Sequence, residues 1–186
     1  MRAVEIWRLR PEPALVAGVD GDLLEEYLRR RKDLGTNWLG RMLAALLENT
    51  SARGSAAFNV IDDSGSFRAV YAKGFIGASI MNSTYSYDSG CHVGIGTGRT
   101  APSRGDYRLQ SEIARAPASA RYTDGSDYVI VSAVFILGAG ASVSEVGLYW
   151  RDGYNGWLFL LDRTVLPSPV AFPAGTPMLV AYKIAI

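Results

Sequence analysis

The spacing of hydrophobic residues changes once along the chain, near residue 55. Before that point, Trp38, Leu39, Met42, Leu43, Leu46 and Leu47 recur at i, i+3, i+4 and i+7. That period predicts an amphipathic helix, with Thr36 or Asn37 placed to cap it. Upstream, Leu23/Tyr27 and Leu24/Leu28 lie four apart, and Asp22 with Glu25 resembles a capping box. The two segments form a helix pair, the arrangement we favour, or one helix kinked near Gly35. Ala3 to Leu9 has the composition of a short strand, stopped by Pro11 and Pro13. It makes an arm carrying Val4, Ile6, Trp7 and Leu9.

From Ala56 the pattern alternates with period two between short turns. Ala56 to Ile61 and Phe67 to Ala72 flank Asp62-Asp-Ser-Gly-Ser66, a predicted hairpin. Asp127 to Leu137 is the longest β-type apolar run, and it barely alternates. It is therefore expected to be a central strand covered on both faces. Val143 to Arg151 and Trp157 to Arg163 predict two further strands around Asp152-Gly-Tyr-Asn-Gly156, and Met178 to Ile184 a closing one. Leu166-Pro-Ser-Pro169 and Phe172-Pro-Ala-Gly175 are expected turns. The expected class is mainly β: an antiparallel β-sandwich, jelly-roll-like, preceded by an N-terminal helical segment. Residues 1–54 are taken as the arm and helical segment, and residues 55–186 as the sandwich domain.

The 186 residues suffice for one such domain without disulfides. Apolar residues make up 48% and charged residues 20%, which argues against disorder. Net charge is +1. The only basic run is Arg29-Arg-Arg-Lys32, which suits a solvated helix end better than phosphate. No nucleic-acid partner is therefore expected. No apolar run matches a signal peptide or the roughly 18 residues of a membrane span, so no membrane partner is expected either. Asn49 and Asn82 head chance glycosylation sequons.

Candidate chemistry is sparse. Cys91 is the one cysteine and His92 the one histidine. As strand neighbours they point to opposite faces and cannot act on each other. A two-histidine metal site is excluded by count, and Asp62-Asp63 and Asp124/Asp127 lack calcium-loop spacing. Gly94-Ile-Gly-Thr-Gly98 matches neither the dinucleotide nor the Walker pattern. Glu145 is the one acid inside a strongly apolar strand. It is expected on an exposed face, paired with an arginine such as Arg163. No catalytic, cofactor-binding or metal-binding residue is assigned, no cofactor is expected, and the chain is not expected to be an enzyme.

Three stretches are familiar in their order. They are Gly94-Ile-Gly-Thr-Gly-Arg-Thr-Ala-Pro102 with Asp106-Tyr-Arg-Leu109 and Ile113; Ser144-Glu-Val-Gly-Leu-Tyr149; and Leu161-Asp-Arg-Thr-Val-Leu-Pro-Ser-Pro-Val170 with Pro173-Ala-Gly175 and Val180-Ala-Tyr182. Together they resemble small β-sandwich virion structural proteins of tailed phages and related archaeal viruses and proviruses. The resemblance covers about residues 90–186. It implies a non-enzymatic part of a virus particle; of the stations within it, we favour the tail or baseplate over the capsid surface. It also implies synthesis in the host cytoplasm, residence in the virion, and other virion proteins as partners.

A self-assembling homo-oligomer, with a ring favoured, follows from the apolar N-terminus. Val4, Ile6, Trp7, Leu9, Trp38, Leu39, Met42, Leu43, Leu46 and Leu47 are its expected interface. The alternative is a carbohydrate-binding β-sandwich module used for attachment. Tyr85, Tyr87, Tyr154 and Trp157, with Tyr149 and Trp150, are its candidate stacking rings.

Overall fold

The computed structural model describes residues 2–8, 57–71, 90–122, 124, 128–152 and 155–185. These are mainly β, with antiparallel pairing throughout and no helix among the described residues. The expected helices over 22–49 and the division at 54/55 lie outside them.

Ten strands run in chain order: β1 (Arg2–Arg8), β2 (Ala57–Ile61), β3 (Phe67–Tyr71), β4 (Gly90–Gly96), β5 (Glu112–Pro117), β6 (Ser119–Tyr122), β7 (Tyr128–Ile136), β8 (Ala141–Arg151), β9 (Leu158–Phe172) and β10 (Pro177–Ala185). One four-stranded sheet has the order β1-β10-β7-β6, the other β5-β4-β8-β9, and β2–β3 is a separate hairpin. Consecutive strands pass from one large sheet to the other at three corners, β5 to β6, β7 to β8 and β9 to β10. At the first, Ala118 N–H donates to Cys91 O at 2.9 Å. The other two are tied together by Gly175 N–H donating to Leu137 O at 2.8 Å. Gly175 sits at φ 67°, which only glycine adopts without strain, and this fixes the predicted Phe172–Gly175 turn.

The two large sheets share one apolar core. Val93, Ile95, Val143, Val146, Leu148 and Phe172 come from one sheet, and Val131, Ala133, Phe135, Met178, Val180 and Tyr182 from the other. Tyr182 reaches across, and its hydroxyl donates to Val146 O at 2.8 Å, so this buried phenol keeps a partner.

β1 pairs along its whole length with β10, with Val4 opposite Tyr182, Ile6 opposite Val180 and Trp7 opposite Leu179. The expected arm is thus an edge strand of the chain's own sheet.

Two strand expectations need correction. β7 is interior in its sheet, but it is not covered on both faces: Val131, Ala133 and Phe135 are buried, while Val134 and Ile136 are 47% and 64% exposed. From Val131 onward its near-continuous apolar run conceals an alternation of buried and more exposed residues. The strand buried on both faces is β8, where every residue from Val143 to Trp150 is buried. Leu166-Pro-Ser-Pro169 is also not a turn between strands. It lies inside β9, where Val143 faces Val170 but Glu145 faces Val165. The extra residues form an excursion of this edge strand, where prolines cost no ladder bond and discourage edge pairing.

Candidate functional site

The most elaborate side-chain arrangement covers the face of β8 turned away from the shared core. Val146 and Leu148 enter that core. By period two, Glu145, Gly147 and Tyr149 face the other way. There they meet the segment between β4 and β5, residues 97–111, which folds back over the sheet.

Glu145 is fully buried and accepts four hydrogen bonds. They come from Gly98 N–H at 3.1 Å, Gln110 N–H at 3.2 Å, Ser111 N–H at 2.7 Å and Arg163 Nε at 2.7 Å. Arg163, 2% exposed, spends its other nitrogens on Asp106 Oδ2 at 3.0 Å and Thr100 O at 2.9 Å. Register explains how the pair meets. Arg163 lies directly opposite Gly147, and Glu145 is two residues along on the same face. A long side chain spans that diagonal. The pairing with Arg163 is as expected, but the expected exposure is wrong. The apolar surroundings of Glu145 mark a site covered by backbone donors from a distant loop. A buried carboxylate is tolerated when its lone pairs are satisfied in this way.

Glycines make the room. A Cβ on Gly96 would lie 2.6 Å from both Glu145 Oε1 and Ser111 O, and one on Gly98 would collide with the Glu145 carboxylate. At Gly147 it would meet Leu109 and Tyr149 at 2.9 Å. The Gly94–Gly98 run is therefore a close-packing device beneath a loop, and no phosphate cradle.

A second network adjoins the first. Tyr149, fully buried with Leu109 and Leu160, receives Leu109 N–H at 2.9 Å on its hydroxyl and donates to Glu112 Oε2 at 3.1 Å. Arg115 lies 4.2 Å above the Tyr149 ring. It binds Glu112 through Nε and Nη2 at 2.9 and 2.8 Å, and Asp63 through Nη1 at 2.7 Å. Burial pushes the Tyr149 phenol up, and the nearby Glu112 charge adds to this. Burial opposes the Arg115 charge, but the Glu112 and Asp63 bonds outweigh it and raise its pKa.

Asp63 belongs to the β2–β3 turn, so Arg115 clamps that hairpin to the β4–β8–β9 sheet. Asp63 N–H to Leu158 O at 2.9 Å and the packing of Val60 with Trp150 and Phe159 complete the clamp. The turn is built on Asp62, which is buried and binds Ser64 N–H, Ser66 N–H and Arg68 Nε at 3.0, 2.9 and 2.6 Å. Burial alone would raise its carboxyl, but bonds from Ser64, Arg68 and Ser66 prevail and bring it down to about 2. These contacts fit ordinary turn chemistry for the acidic pair. No group of three or more His, Cys, Asp or Glu among the described residues could hold a metal ion.

His92 is buried, with Nδ1 at 3.3 Å from Gly90 O, while Cys91 packs against the shared core and burial pushes its thiol up. The two diverge as period two requires. Of the expected interface residues, Val4, Ile6 and Trp7 stand in β1. Leu9, Trp38, Leu39, Met42, Leu43, Leu46 and Leu47 lie outside the described residues. So do Tyr85, Tyr87 and Tyr154. Trp157 is half-buried against Val60, Trp150 and Phe159, with Arg68 4.9 Å over its ring. Tyr149 and Trp150, at 0% and 1% exposed, offer no face to a sugar.

The Arg115–Asp63 part of the Tyr149 network carried no distinctive sequence signal. The two lie far apart in the chain and look individually like surface polar residues. No protein-family model matches the chain, and neither curated proteins nor solved structures give a significant match.

Proposed function

We propose that this chain is a non-enzymatic structural component of a virus particle, tail- or baseplate-associated, that acts by self-assembly with copies of itself and other virion proteins. In this reading the two four-stranded sheets are the layers of a jelly-roll-like β-sandwich. The amphipathic segment within 22–49 precedes it and meets neighbouring subunits in a ring.

One observation carries the proposal. The three stretches that resemble virion proteins meet at a single place. Gly98, Asp106, Gln110 and Ser111 come from the first or border it, Glu145, Gly147 and Tyr149 from the second, and Arg163 from the third. The charged groups of Asp106, Glu145 and Arg163 are bound by one another and by backbone, so their chemistry is spent on holding a loop to a sheet. A general acid or nucleophile needs a group free to face substrate. Side chains that lock a scaffold suit a particle component.

Light scattering and negative-stain electron microscopy of the full chain test the reading. A defined oligomer of regular shape is expected, together with loss of that oligomer when residues 22–49 are deleted and β1 is kept. A full-length protein that stays monomeric at high concentration contradicts it. A deletion that keeps residues 1–8 is needed because β1 is a strand of the sheet, and removing it would perturb the fold itself.

A further inference from the structure

The loop pinned by Glu145 presents arginines to solvent. Between Thr97 and Ser111 the chain carries Arg99, Arg104 and Arg108 against a single acid, Asp106. All three arginines are exposed. Asp106, bound by Arg163 and by Ser103 N–H at 2.9 Å, offsets only one of them: with the buried Glu145–Arg163 pair included, four arginines face two acids, a surplus of two positive charges. No carboxylate among the described residues pairs with any of the three; Arg108 only leans over its neighbour Tyr107 at 5.5 Å. Arg104 stands at the tip of a tight turn closed by Asp106 N–H to Ser103 O at 3.1 Å. The exposed hydroxyl residues Thr97, Thr100 and Ser103 lie between and beside the arginines.

We infer that this loop is a docking platform for an anionic polysaccharide, one bearing carboxylate or sulfate groups along its chain. The guanidinium fork matches a planar or tetrahedral oxyanion with two parallel bonds, and hydroxyls between the forks suit the sugar's own hydroxyls. Exposed arginines usually lose affinity to the ordering of their backbone on binding. Here the backbone is already fixed at Gly98, Thr100, Asp106, Gln110 and Ser111 by buried groups, so that cost is met in folding. Nucleic acid fits less well. Tyr107, the one aromatic residue of the loop, packs against the β2–β3 turn, with its ring 3.5 Å from where a Cβ of Gly65 would stand, so it is not a free stacking ring. The chain's charge of +1 also supplies none of the broad positive field that phosphate backbones exploit. This site is separate from the rings considered for neutral sugars, and it does not depend on the assembly reading.

The test is affinity chromatography of the full chain on immobilised heparin, polygalacturonate, neutral dextran and duplex DNA at low and raised salt. Retention on the two acidic glycans and passage through dextran are expected. The triple variant R99A/R104A/R108A should weaken glycan affinity by at least about tenfold while melting like the wild type. The R99K/R104K/R108K variant, which keeps charge without the fork, should fall between the two. Passage through heparin and polygalacturonate overturns the inference. So does retention unchanged in the alanine triple, and so does equal or tighter retention on DNA lost in that same triple. Neither the mass of the protein nor its state of assembly enters these outcomes.

Discussion

Arg163 Nε lies 2.7 Å from Glu145 Oε2 with the two side chains 1% and 0% exposed, and each is bound further by residues 98–111. A buried ion pair of this kind is not a large net source of stability, because desolvation consumes most of the Coulomb gain. Breaking it is another matter. Glu145→Gln leaves Arg163 with Asp106 as its one remaining charged partner and turns an amide NH2 toward N–H donors. Arg163→Met leaves the carboxylate short of its charged partner. Each single change should cost about 3–5 kcal/mol in denaturant unfolding, and the double variant should cost less than the sum. Additive losses would mean that the two side chains do not act as a unit.

The glycines beside this pair give a sharper test of packing. Gly96→Ala and Gly147→Ala place a methyl group within 2.6–2.9 Å of fixed neighbours, whereas Gly138→Ala meets nothing within 4 Å. The first two should destabilise by at least about 1–3 kcal/mol, as overpacking does. Gly138→Ala should melt within about 0.5 kcal/mol of wild type, as surface changes do. Equal behaviour of all three in thermal melts would rule out the close approach of loop and sheet.

Most strands were legible in the sequence, because period two and turn residues are local signals. The Asp62–Ser66 hairpin, the Val143–Arg151 strand and the closing strand all stand as expected. What was not legible depends on distant partners. The apolar run of β7 could not reveal that Val134 and Ile136 lack a covering layer, nor could the lone acid of β8 reveal donors from Gly98 and Ser111. Arg99, Arg104 and Arg108 sit in a chain of near-zero net charge. What makes them a basic surface is that Asp106 binds the buried Arg163 and none of the three.

β7 separates its two faces energetically. Phe135→Ala should cost about 3–5 kcal/mol, since that ring is 4% exposed in the shared core. Val134→Thr and Ile136→Thr, one residue to either side, should each stay within about 0.5 kcal/mol. Comparable losses at all three positions in urea unfolding would show the outer face to be covered as well.

Asp62 sets an acid limit. Its carboxyl is held at about 2 in the folded chain against an ordinary 3.8, so the unfolded chain binds the proton first. Its contribution to stability is complete above pH 4 or so and is lost as pH falls toward 2. Asp62→Asn should be less stable than wild type at neutral pH, and the difference should shrink over that window. A difference that stays constant with pH would show that the Asp62 bonds do not depend on its charge.

The buried Glu145 carboxylate holds a distant loop by its backbone. Amide hydrogen exchange at Gly98, Gln110 and Ser111 measures this directly. Gln110 and Ser111 are exposed residues outside the strands, and Glu145 accepts both of their N–H groups. We predict that all three amides exchange slowly in the wild-type protein, with protection like that of the β8 ladder, and that Glu145→Gln speeds them together. Exchange of these amides at the rate of an open loop in the wild-type protein would contradict the account.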